Sequence, residues 1–247
     1  MNDKLNRDIK LIALDMDGTL LNEKQEISEG NRQAINKARE KGVTVILSTG
    51  RSILTCQEYA KSLNLLSYVI TVNGSEIWER GQILERNPLQ TELVQWMWEL
   101  SQSYKTNYWA TSTDHVWRNQ IPECIANHQW LKFGFEIEDD EIRESVLKLL
   151  LNQSQLEISN SSPVNIEINA AGINKASAIV KVCERLNISM ENVMAIGDSL
   201  NDIAMIQQSG LGIAMGNAQK AVKESADWVT ASNIEDGVSE AIRYWIL

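Results

Sequence analysis

Two aspartates, Asp15 and Asp17, stand one residue apart, directly after the apolar run Leu11–Leu14 and directly before Gly18 and Thr19. Carboxylates gathered at the end of a buried strand repel each other, and without a positive partner one of them protonates. A hard divalent cation removes that conflict. Mg2+ takes oxygen ligands and keeps waters that a phosphate can displace. An aspartate beside bound phosphate can also attack it, forming an aspartyl-phosphate. Asp15, ending the strand, is the fixed in-line nucleophile of this reading. Asp17 reaches the leaving oxygen and suits general acid and then general base. Gly18 lets the chain turn tightly at that point.

Three further segments supply matching chemistry: Ser48-Thr49-Gly50-Arg51, Lys175 at a helix start, and Gly197-Asp198-Ser199-Leu200-Asn201-Asp202. Backbone amides after Asp15, together with Lys175 and Mg2+, would neutralise charge on phosphoryl oxygens. Taken singly, each segment also has a plain structural meaning. Asp17-Gly18 and Thr49-Gly50 mark turns, Lys175 is a solvated helix start, and Asp198 and Asp202 favour a helix dipole. Those meanings do not account for aspartates at two separate strand ends, where open parallel sheets hold their ligands.

The elements that must position these residues alternate. Ile9–Leu14, Val43–Thr49 and Tyr68–Asn73 read as strands buried on both faces. Helices over Ser28–Ala38, stopping at Gly42, and Ser52–Leu63 separate them. A hairpin turns at Gly81. After Pro88 the pattern changes to helix at Leu89–Ser103, strands at Asn107–Ala110 and His115–Arg118, and a helix within Pro122–Leu131. A helix at Asp139–Leu151 and strands near Leu156–Ser159 and Val164–Ile168 follow. From Val193 strand and helix alternate again. The expected fold is α/β: a Rossmann-like parallel sheet core made of residues 1–85 and 172–247, with an inserted α+β domain over residues 86–171.

The chain has 247 residues, 43% of them hydrophobic, enough for a substantial core. A net charge of −10 argues against nucleic acid as a partner. Cys56, Cys124 and Cys183 form no CxxC pair, which argues against zinc and fits reduced thiols in the cytoplasm. The opening stretch MNDKLNRDIK lacks an apolar leader core, and no run reaches membrane-spanning length, so no membrane partner is expected. Trp96, Trp98, Trp109, Trp117 and Trp130 crowd the inserted domain. Most read as its core or as a homodimer face, with one or two left to close over a substrate. His115 and His128 read as packing or surface residues.

The order DxDGT, TGR, helix-start lysine and GDxxND resembles the haloacid dehalogenase superfamily. The tail from Asn169 to Ile242 is similar to Cof-type phosphatases with a type IIB cap. The resemblance implies Asp15 as nucleophile and Asp17 as acid/base. It implies Mg2+ on the Asp15 carboxylate, the Asp17 backbone carbonyl and Asp198, with Asp202 in the outer shell. It implies phosphate held by the Met16 backbone, Thr49, Gly50, Lys175 and Asn201, with Arg51 touching the substrate beyond its phosphate. Two features depart from the family: Ala176 follows Lys175 where glycine is usual, which predicts a slightly shifted helix start, and the cap is shorter. The expected activity is Mg2+-dependent hydrolysis of a small phosphorylated metabolite such as a sugar phosphate, by a monomer or a cap-mediated homodimer. The alternatives are a phosphomutase on the same scaffold and a regulator that binds a phosphometabolite without turnover.

Overall fold

The structure, a computed structural model, describes residues 7–65 and 67–247. The chain opens with β1 (Leu11–Leu14), α1 (Glu29–Glu40), β2 (Thr44–Ser48), α2 (Ile53–Ser62) and β3 (Tyr68–Thr71). The hairpin β4 (Glu76–Glu79) and β5 (Gln82–Arg86) follows, turning at Gly81. Then come α3 (Thr91–Tyr104), β6 (Asn107–Ser112), β7 (Val116–Arg118), β8 (Trp130–Glu136), α4 (Asp140–Leu151), β9 (Leu156–Ser159) and β10 (Asn165–Ala170). The chain ends with α5 (Lys175–Leu186), β11 (Val193–Gly197), α6 (Ile203–Gln208), β12 (Leu211–Ala214), α7 (Lys220–Ser225), β13 (Trp228–Val229) and α8 (Gly237–Trp245).

Two sheets result. The first has the order β13-β12-β11-β1-β2-β3-β4-β5, parallel from β13 to β3 and antiparallel at β4 and β5. Its central strands are buried on both faces, because successive side chains point opposite ways. Ile12 and Leu14 pack with α1, α2 and α8, whereas Leu11 and Ala13 pack against Ile179 and Val182 of α5. The chain leaves β1 toward β2 on one side, and β11 returns on the other. The sheet's switch point therefore lies between β1 and β11, where a crevice opens beyond the carboxyl ends.

The second sheet, β7-β6-β8-β10-β9, is antiparallel. One face carries Tyr108, Ala110, Phe133, Phe135, Ile166 and Ile168 and packs on α3 and α4. Its other face is polar and turns toward the first sheet's crevice. Asn169 ties the sheets together: its Nδ2 donates to Val72 O and Ser75 Oγ, both at 2.9 Å, and to Leu131 O at 3.2 Å.

One expected element is corrected. Pro122–Leu131 holds only a single turn at Ile125–Asn127, and β8 starts at Trp130. Trp130, Leu131, Phe133 and Phe135 are aromatic or branched residues that favour a pleated, half-buried surface over a helix. Asn174 caps α5 by accepting from Ser177 N, and the helix starts at Lys175. Trp130 is core and Trp96, Trp98 and Trp117 pack partly buried around it. His115 and His128 pack on Trp117. All three cysteines are free thiols. Burial pushes the Cys56 thiol up to about 12 and the Cys183 thiol up to about 11, which keeps both unreactive at neutral pH. No helix among the described residues is long and apolar enough to cross a membrane.

Candidate active site

β1 delivers Asp15 and β11 delivers Asp198 to the same crevice, because the two strands are hydrogen-bonded neighbours running in parallel. Lys175, the first residue of α5, lies beneath them at 1% exposure. Its ammonium donates to Asp15 Oδ1 and to Asp202 Oδ1, each at 2.6 Å. Asp202 is fully buried, and its Oδ2 accepts from the amides of Asp198 (2.9 Å) and Ser199 (3.0 Å). Both oxygens of Asp202 are thus committed to protein donors. Asp198 accepts from Thr19 Oγ1 at 3.0 Å and from Ser199 Oγ at 2.9 Å.

Carboxylate oxygens of Asp15, Asp198 and Asp202 lie within 4.8 Å of one another. Three acids around one ammonium leave an excess of buried negative charge. Burial accordingly raises the Asp15 carboxyl well above the ordinary range, against the pull of Lys175 and with help from Asp202 and Asp198. Burial, reinforced by Asp202, pushes Asp198 up to about 6. Such shifts mark a site that lacks compensating positive charge.

Asp17 is exposed, and its carboxylate is not one of the three. Arg51 holds it through Nε at 2.8 Å and also reaches Gln25 Oε1, with the guanidinium 5.4 Å from the centre of the Tyr59 ring. Thr49 is buried, and its Oγ1 accepts from Arg51 N at 3.1 Å. Met16 sends its side chain into the core, which leaves its backbone at the crevice. Asn201 Nδ2 sits 3.4 Å from Asn73 Oδ1, and Asn201 Oδ1 is buried without a protein partner.

Gly18 adopts φ +77°, and a Cβ there would sit 2.5 Å from Asp198 Oδ2. Gly18→Ala is expected to cost about 1–3 kcal/mol in backbone strain and to displace Asp198. Turnover should fall on the order of 10²-fold. A steady-state assay beside a denaturant melt checks both numbers.

A cavity of about 650 Å3 lies between the crevice and the polar face of the second sheet. Asp15, Asp17, Gly50, Arg51, Asp198 and Asn201 line its floor. Its roof comes from Trp109, Thr111, Arg118, Lys132, Glu136 and Glu167, which all occupy alternate positions in register across β6, β7, β8 and β10. Apart from Trp109, sequence reasoning missed these residues. The period-2 alternation in Trp130–Glu136 was the available signal, but it marks a polar face without saying what that face meets.

Lys132 joins roof to floor. Its buried ammonium donates to Gly50 O at 2.8 Å and faces Glu167 Oε2 at 3.4 Å. Burial works to raise the Glu167 carboxyl, but Lys132, Asn73 and Ser161 outweigh it and hold it below the usual range. Lys132→Met would strand that carboxylate and is expected to destabilise the protein by about 3–5 kcal/mol. Adding Glu167→Gln should recover most of the loss, measured as a double-mutant cycle by urea denaturation.

Carboxylates and an ammonium at parallel strand ends, roofed by an inserted sheet, are the equipment of a phosphoric monoester hydrolase of the α/β class. A model of the haloacid dehalogenase-like hydrolase family matches residues 12–153 and 126–242, and the chain belongs to that family. It is 60% identical over 241 residues, 97% of each chain, to 5-amino-6-(5-phospho-D-ribitylamino)uracil phosphatase YcsE of Bacillus subtilis strain 168. Among solved structures it resembles a haloacid dehalogenase-like hydrolase of B. subtilis, with TM-score 0.90, 25% identity, and coverage of 97% of this chain and 100% of the other. It also resembles a subclass IIB sugar phosphatase, with TM-score 0.85, 25% identity, and coverage of 95% and 98%. The chain is a phosphatase with the expected Rossmann-like core and cap architecture, and hydrolysis takes precedence over the phosphomutase and regulatory alternatives.

Proposed function

We propose that this chain hydrolyses 5-amino-6-(5-phospho-D-ribitylamino)uracil or a close sugar-phosphate relative, with Mg2+ as cofactor and Asp15 as the phosphoryl acceptor. The observation that carries the reading is the convergence of Asp15, Asp198 and Asp202 on Lys175 at the floor of one cavity. The substrate comes from the likeness to the B. subtilis phosphatase. Residues 1–85 and 172–247 act as the catalytic core, and residues 86–171 as the cap that selects the organic group. Three unpaired thiols support a reducing compartment, the cytoplasm. The chain works as a monomer or a cap-mediated homodimer.

The donor set fits the metal. It offers only oxygens, in a buried cluster whose negative charge one lysine does not balance, as a hard dication requires. The Asp15 carboxylate, the Asp17 carbonyl and Asp198 would hold it, while Asp202, committed to Lys175 and two amides, orients from behind. Bound Mg2+ supplies electrostatic neutralisation of the phosphoryl oxygens. The remaining work falls to the protein. Lys175 grips Asp15 Oδ1, leaving Oδ2 to attack phosphorus. As the Oδ2–P bond forms, the ester P–O bond breaks and Asp17 protonates the leaving alcohol. Asp17 then takes a proton from water, whose oxygen attacks the aspartyl-phosphate and frees Asp15 and inorganic phosphate. The Met16 amide, Thr49, Gly50, Lys175 and Asn201 cradle the phosphoryl group. An anionic substrate competes with Asp17 for Arg51 and so releases Asp17 for proton transfer.

The test is incubation of the protein and Mg2+ with the ribitylaminouracil phosphate and a panel of sugar phosphates. Free phosphate and the dephosphorylated alcohol are expected. An isomerised phosphate ester with no free phosphate would overturn the reading.

A pH dependence follows from Asp198. Its carboxyl titrates near 6 in the folded protein, above its ordinary 3.8. The folded state therefore binds that proton more tightly than the unfolded chain. Metal-free protein should lose stability as pH rises from about 4 to about 6, and little more from this group above that. Mg2+ binds the ionised carboxylates of Asp198 and Asp15, both raised, so its half-saturating concentration should rise at least about tenfold per pH unit below about 6. Thermal melts at graded Mg2+ between pH 5 and pH 8 measure both trends.

A further inference from the structure

The roof of the cavity contains an aromatic side chain held in an unusual way. Trp109 on β6 lies directly opposite Gly134 on β8. A Cβ added to Gly134 would fall 2.3, 2.3 and 2.6 Å from Cε2, Cζ2 and Cη2 of Trp109. Three consecutive atoms of the six-membered ring at nearly equal distance mean that the ring lies face-on over the glycine. An edge-on ring would present one near bond and put the third atom much farther away. One face of the indole therefore rests on bare backbone, the Lys132 ammonium lies 6.0 Å from the ring centre, and the ring lines the cavity. Any residue but glycine at 134 would lift the ring off this seat.

The surroundings suit a planar, polar ring. Arg118 is the cross-strand partner of Trp109, and Glu136 stands two residues beyond Gly134 on the same face. Both line the cavity and are exposed. Neither makes an ion pair or a side-chain hydrogen bond with other described residues. A guanidinium and a carboxylate on opposite sides of a flat aromatic floor match a heterocycle that carries carbonyl acceptors and N–H donors on its edge. Resting on the function proposed above, we infer that Trp109, seated on Gly134, is the platform that stacks the pyrimidine ring of the substrate, with Arg118 and Glu136 reading its edge. It determines specificity for ring-bearing over ring-free phosphate esters, and the core performs the chemistry on either.

The experiment compares kcat/KM for 5-amino-6-(5-phospho-D-ribitylamino)uracil with that for ribitol 5-phosphate, which shares the polyol phosphate and lacks the ring. Stacking on an aromatic side chain contributes about 1–3 kcal/mol. The wild-type preference for the ring-bearing ester should therefore fall roughly 5- to 150-fold in Trp109→Ala. Trp109→Phe, which keeps a flat ring, should change it less than about threefold, and Gly134→Ala should lower it in the same direction as Trp109→Ala. Because the readout is a ratio within one preparation, partial misfolding cancels. A preference that survives both Trp109→Ala and Gly134→Ala would overturn the platform and leave the substrate assignment standing. A wild type that hydrolyses both esters equally well would overturn the assignment and the platform together.

Discussion

Asp15→Asn is expected to lower phosphate release on the order of 10⁴-fold or more while leaving the protein at least as stable as the wild type. The amide keeps the shape of the carboxylate and can still face Lys175, but it cannot attack phosphorus. Turnover falls because, in the mechanism proposed above, Asp15 is the nucleophile. Stability holds because Asp15 is a charge under strain: burial and two neighbouring aspartates raise its carboxyl far above the ordinary range. Removing that charge relieves repulsion, and Lys175 keeps its 2.6 Å contact with Asp202. Opposite signs for activity and stability are the signature of a functional rather than structural carboxylate. An aryl phosphate assay with Mg2+ and a thermal melt on the same preparation measure both. Equal activity in the two proteins would reject the mechanism.

Lys175→Met should do the reverse on one axis, losing both activity and stability. Among the described residues, the ammonium is the one positive group within hydrogen-bond reach of both Asp15 and Asp202, and it is 99% shielded from water. Breaking a buried ion pair from one side costs about 3–5 kcal/mol. Loss of a phosphoryl-facing cation should also lower kcat by about 10²–10³-fold. The stability deficit has a pH signature. Without Lys175, Asp15 loses the charge that draws its carboxyl down and gains a proton more readily in the folded state, so the deficit shrinks as pH falls from 7 toward 5. Lys175→Arg should not restore the wild type, because a planar guanidinium does not fit a fully packed seat built for one compact ammonium. Urea denaturation of the three proteins at pH 5 and pH 7, with and without Mg2+, separates these effects.

The core was largely legible because its signals are local. Ile12 and Leu14 sit in a run buried on both faces, Ser28 caps α1 by accepting from Asn31 N, and Gly18 stands where φ is positive. Each reports on its own few neighbours. The cap was less legible. The sequence predicts a helix within Pro122–Leu131 and no strand over Trp130–Glu136. The pairing of β8 with both β6 and β10 makes that stretch a strand.

What the sequence by itself determined is the family and the groups that stand at the strand ends: the aspartates, the lysine and the glycine-freed turn, with the parallel core that carries them. A strand, a tight turn and a helix start are short-range structures, so their chemical groups can be recognised without knowing what lies across the crevice. What only the tertiary structure decided is the other wall of the site. Trp109, Arg118, Lys132, Glu136 and Glu167 alternate along antiparallel strands, and in such a sheet a polar face turned to water and one turned to a substrate have the same pattern. The docking of that face over Asp15, through contacts such as Lys132 to Gly50 and Asn169 to Val72, depends on residues distant in the chain.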